Sequence, residues 1–165
     1  MVMTNNVLCF LAGACHPIST TLTRFTPLGM KDINGNVFRM RVYGLASSSN
    51  LNVSAVNNTA QIGKGTTPPN NLDFQIENPF TNGGGAEEDS PKVSTPASYN
   101  DTTDLIEMQT AIVAGGSGDI TEVCKFVTFN DEFGTDRICL VLRDIISPVG
   151  FIAGETINIL HEVAT

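Results

Sequence analysis

A chain of 165 residues with 16% charged residues, no Trp and a net charge of −8 has the size of one domain, long enough to bury roughly two-thirds of its unfolded surface. A composition rich in Asn, Thr, Ser and Gly argues against a Lys/Glu-rich helical bundle and for short strands joined by many turns. Nucleic acid is an unsuitable partner for a chain without a basic domain. No apolar run reaches the roughly 20 residues that a membrane helix needs.

Taken in order, residues 7–14 are an apolar segment that reads as a first strand, ended by Pro17. No Lys or Arg precedes it, so we expect no secretory signal. Residues 20–25 alternate in the manner of a strand before Pro27. Asn34-Gly35 is a two-residue hairpin signal, because both turn positions tolerate positive φ. It introduces a half-buried strand over 37–43, with Phe38, Met40 and Val42 facing in and Arg39 and Arg41 forming a basic outer stripe.

Residues 44–100 are an extended loop region, with short strands expected at 52–56 and 72–76 between Pro- and Gly-rich breakers. It contains an acidic excursion from Glu87, Glu88 and Asp89 to Tyr99. Loops of that length are functional, bound or disordered, and we expect this one to be held by a partner. Over 104–114, Asp104 with Glu107 resembles a capping box, and Leu105, Met108 and Ile112 have helical spacing. Ile106, Met108, Thr110 and Ile112 fit a strand equally well; the reading favours a helix.

The strongest signal is 122–144, EVCKFVTFNDEFGTDRICLVLRD, a long hairpin around a turn at 130–136. Cys124, Phe126, Cys139 and Val141 share one face; Val123, Val127, Ile138, Leu140 and Leu142 share the other. A strand pair that is apolar on both faces needs cover on both. Arg24-Phe25, Asp32, Gly35 and the strand 38–42 run parallel to Lys125-Phe126, Asp131, Gly134 and the strand 138–142, which suggests two similar hairpins. Ser147-Pro148 then turns the chain into a last strand over 154–163. The expected fold is all-β: a single antiparallel β-sandwich or jelly-roll-like barrel spanning 1–165, with long loops and at most one short helix.

Chemistry is sparse. The two histidines are His16 and His161, and no nucleophile elbow, HExxH, P-loop or dinucleotide fingerprint is present. His161, beside Glu162, reads as a polar residue on the outer face of the last strand. Cys9, Cys15 and His16 lack the spacing of a zinc finger. Asp32-x-Asn34-x-Asn36 and Asp131, Glu132 and Asp136 put oxygens in tight turns that calcium could use, but Asp and Asn have their own reason to be in turns. Cys124 and Cys139 read as free, buried thiols. We therefore expect no catalytic, cofactor-binding or metal-binding residues, no cofactor, and no enzyme.

Charge is uneven, with net +3 over residues 1–50, −7 over 51–120 and −4 over 121–165. This points to an interface formed by Arg39 and Arg41 of one copy against Glu87, Glu88 and Asp89 of the next. In its loops, its doubly apolar hairpin and its lack of enzyme motifs, the chain resembles the small all-β virion structural proteins of bacteriophages. The resemblance implies a structural component of a virus particle: a capsid or tail subunit, or a decoration or vertex protein. It would reside in the virion and act through contacts with itself, as a homo-oligomer, and with other virion proteins, without direct nucleic-acid or membrane contact. The alternative is a soluble carbohydrate-binding β-sandwich, whose aromatic platform could come only from Tyr43 and Tyr99.

Overall fold

The computed structural model describes residues 2–7, 24–25, 29–42, 55–80, 92–93 and 98–164. They contain twelve strands: β1 (Val2–Met3), β2 (Arg24–Phe25), β3 (Met30–Lys31), β4 (Val37–Phe38), β5 (Arg41–Val42), β6 (Ala55–Gly63), β7 (Lys92–Val93), β8 (Ser98–Asn100), β9 (Leu105–Val113), β10 (Gly118–Asn130), β11 (Asp136–Phe151) and β12 (Thr156–Ala164). The strands make separate antiparallel sheets: one of five in the order β1-β11-β10-β6-β7, one of three in the order β12-β9-β8, and the two-stranded ladders β2-β5 and β3-β4. A single helical turn at 5–7 is the one short helix among the described residues.

The all-β expectation holds, with separate antiparallel sheets and one short helix among the described residues. Among the described residues no sheet closes on itself into a barrel, and the sheets are not joined to one another by strand pairing. Closure requires the outermost strands to pair along their length, and among the described residues the edges β1 and β7 are two residues long and do not pair with each other.

Local expectations divide in an instructive way. The long hairpin forms as β10 and β11. Residues 104–114, expected as a helix, are instead strand β9. Its alternation is used by partners on both sides, with Ile106 opposite Val163 and Tyr99, and tertiary pairing outweighs the weak helical preference. Asp104 is no N-cap; it sits at φ 60° in the turn between β8 and β9, where the Asn100 side chain accepts from the N–H groups of Thr102 and Thr103. No strand forms at 72–76. Nor does Ser147-Pro148 turn the chain, since β11 continues to Phe151. Among the described residues β1 pairs with β11 only at Leu142 and Arg143, so Pro148 lies beyond that pairing, where a missing N–H costs little.

The described residues fall into two compact units, and β10 and β11 each pass from one into the other within their own length. The first unit draws on Met1–Asn57, Pro69–Gln75 and Phe126–Arg143. Its interior holds Met30, Phe38, Met40, Phe126, Phe129 and the continuous buried run from Cys139 to Arg143, so β11 is covered on both faces here. Thr4 and Asn6 close one side. Thr4 Oγ1 donates to the Leu140 carbonyl at 2.6 Å, and the Asn6 amide donates to the carbonyls of Leu140 and Lys31 while accepting from the Lys31 N–H. Buried Arg143 is satisfied by Asp73 at 2.7 Å.

The second unit draws on Asn58–Pro68, Ile76–Lys125 and Asp144–Thr165. Its core is Ala60, Ile62, Phe80, Ile112, Ala114, Ile120, Phe151 and Ile159, with Val123, Ile146 and Ile157 packed against it. Phe80 and Phe151 meet edge-on at 5.2 Å, an arrangement that contributes about 1 kcal/mol beyond the area it buries.

Candidate functional site

Asp32 and Asp131 each open a five-residue turn whose fourth residue is a glycine at positive φ, 80° at Gly35 and 82° at Gly134. Only glycine adopts that conformation without strain. The two turns share one hydrogen-bond pattern. The Asp N–H donates to the carbonyl of the fifth residue, Asn36 or Thr135, and the glycine N–H donates to the Asp carbonyl. The carboxylate Oδ1 accepts from the third and fifth N–H groups, those of Asn34 and Asn36 at 2.9 Å in one turn and those of Phe133 and Thr135 at 2.9 and 2.8 Å in the other. The sequence parallel between the two hairpins is thus a parallel of turn geometry.

Arg137 joins the two turns. Its Nε donates to Asp131 Oδ2 at 3.0 Å and its terminal nitrogen to Asp32 Oδ2 at 3.4 Å. The Ile33 N–H donates to the Ile138 carbonyl, and Met40 bridges Asp131. Burial alone would raise the Asp131 carboxyl, but the Thr135 N–H, the Arg137 guanidinium and the Phe133 N–H outweigh it and hold the group below its ordinary value. Asp32 is lowered in the same way: burial opposes, while Asn36, Asn34 and Arg137 prevail. Every carboxylate oxygen of the pair already has a donor, so the cation of this site is Arg137. Among the described residues no group of three or more His, Cys, Asp or Glu side chains is placed to hold a metal.

Two apolar side chains stand in solvent beside these turns. Phe133 is 84% exposed at the tip of the β10–β11 hairpin, and Val37 is 67% exposed directly after the other turn. Arg39 is exposed, as the basic stripe requires. The backbone of Arg41 lies in β5 opposite Phe25; its side chain, Glu87, Glu88 and Asp89 lie outside the described residues, as do Tyr43, the Tyr99 side chain, Cys9, Cys15 and His16.

In the second unit, two ionisable side chains that the sequence did not single out are fully buried, Glu122 and Lys125. The Glu122 carboxylate gathers the N–H groups of Gly65 and Asn78 on Oε2, at 3.1 and 3.2 Å, and that of Glu77 on Oε1 at 2.9 Å. It thereby fixes the chain around Gly63 and Gly65, where a Cβ would collide with its Oε2. Burial pushes the Lys125 ammonium down to about 8. The signal for Glu122 was available: period two puts it on the same face as Ile120, Cys124 and Phe126. Lys125 had a comparable signal, since it falls between Val123 and Val127 on a strand apolar on both faces.

His161 corrects the sequence reading outright. It faces inward, 5% exposed, with no hydrogen-bond partner at either ring nitrogen, because β12 presents Ile159 and His161 to the interior and Leu160 and Glu162 to solvent. Cys124 and Cys139 are buried thiols outside any disulfide, and burial pushes the Cys139 thiol far up. Compared with known proteins, the chain matches no family model, no curated protein and no solved structure.

Proposed function

We propose that the chain is a structural subunit of a virus particle, acting through contacts with copies of itself and with other virion proteins. The observation that carries this reading is Phe133: a large aromatic side chain, 84% exposed, on a turn whose backbone is pinned by a buried carboxylate and clamped through Arg137. A folded chain that holds an aromatic residue rigidly in water forgoes the free energy of burying it, of order 2 kcal/mol, unless a partner covers it.

The test is mass in solution. Wild-type protein should sediment as a symmetric oligomer or larger particle, and Phe133→Ser should shift it towards monomer with an unchanged melting temperature. A wild type that stays monomeric at every concentration overturns the proposal, as does a Phe133→Ser protein that assembles equally well.

A further inference from the structure

The three-stranded sheet of the second unit contains a basic side chain with nothing to bond. His161 is buried on the inner face of β12 opposite Met108 of β9, and both its ring nitrogens lack a partner. From β10, Lys125 lies close enough to act on its charge, and from β11 so does Asp144. On β9 the side chains sharing the inner face are Met108, Thr110 and Ile112, none of them titratable. The two acids nearest in register, Glu107 and Glu162, pair with each other on the opposite face, where Glu107 accepts from the Asn100 amide. A proton on His161 thus finds one cation and one half-buried acid, and no hydrogen-bond acceptor for either N–H.

We propose that His161, set against Lys125, makes the β12-β9-β8 sheet an acid-labile element that loosens β12 when the imidazole takes up a proton. β12 is the outermost strand of that sheet, hydrogen-bonded along its nine residues to β9 alone among the described residues. It can therefore detach without another strand being broken. Burial first, and Lys125 second, lower the imidazole to about 4 while Asp144 acts in the opposite sense. The folded-state value lies below the unfolded one, so the unfolded or detached form binds more protons between about 6.5 and 4. The contribution is fully present above pH 6.5 and is lost as pH falls towards 4. Over that window the population of the open form rises on the order of a hundredfold relative to a chain without the histidine.

Two measurements test this on the full chain. The first is NMR titration of the imidazole protons, with His16→Gln leaving one histidine to follow: His161 should titrate well below 6.5, and a value at or above 6.5 in the folded protein overturns the proposal. The second is amide hydrogen exchange at pH 7 and pH 5, corrected for intrinsic rates. Protection of 156–164 should fall by tenfold or more at pH 5 while that of Cys139 to Arg143 in the first unit does not, and His161→Phe should abolish the difference. Lys125→Met should shrink the acid effect and Asp144→Asn should enlarge it. Equal loss of protection in wild type and His161→Phe, or a loss spread evenly over both units, overturns the proposal. If His161→Phe fails to fold, the titration of wild-type His161 decides alone.

Discussion

A carboxylate that accepts two backbone N–H groups in each of two matching turns, and shares one guanidinium between them, is costly to remove. Asp131→Ala leaves the N–H groups of Phe133 and Thr135 without their acceptor and frees Arg137 from its shorter partner. We expect a loss of about 2–3 kcal/mol in denaturant unfolding, and a similar loss for Asp32→Ala, since its turn repeats the pattern. A change under about 0.5 kcal/mol in either would show that glycine geometry alone holds the turns. Sequence made half of this site legible. Asp followed three residues later by Gly announces each turn, because that chemistry is local. Arg137 as the shared partner was not legible: its contact with Asp32 spans 105 positions, and only the fold brings such residues together.

At the scale of the element, β11 matters most. Leu140 is completely buried in the run from Cys139 to Arg143, so Leu140→Asp should abolish cooperative folding, at a cost of several kcal/mol for a buried charge without a partner. Soluble mutant protein with a sharp thermal transition would contradict the placement of this strand. The hairpin was readable because its two arms are adjacent in sequence and their alternation is strong. β9 was misread because its apolar residues satisfy periods of 2 and 3.6 at once, and what decides between them is pairing with β8 and β12, which no local window contains. His161 was misassigned to the outer face for a related reason. A polar residue in an alternating strand goes wherever the register puts it, and Ile157 and Ile159 set that register.

For the whole molecule, pH dependence follows from the buried basic and thiol groups together. Lys125 is pushed down to about 8 by burial, below its unfolded value, so between about 8 and 10.5 the unfolded chain holds more protons and stability rises with pH. Below 8 the full cost of a buried ammonium is present, about 3 kcal/mol. Above about 9 the raised Cys139 thiol acts the other way, because the folded chain keeps a proton that the unfolded one releases. The difference between wild type and Lys125→Met isolates the amine. The variant should be the more stable of the two at pH 7, and the gap should close by pH 10.5; a gap independent of pH would mean that Lys125 titrates normally. There is also a matter of timing. Thr4 donates to Leu140, 136 positions away, and Asp32 must wait for Arg137. At roughly 5–20 residues per second of synthesis, Met30, Phe38 and Met40 spend on the order of ten seconds outside the ribosome before the strand that buries them has been made. A chaperone that shields this segment during translation would therefore improve the yield of native protein more than any change in final stability, and refolding of the complete chain from denaturant should be slow, in the manner of folds dominated by distant contacts.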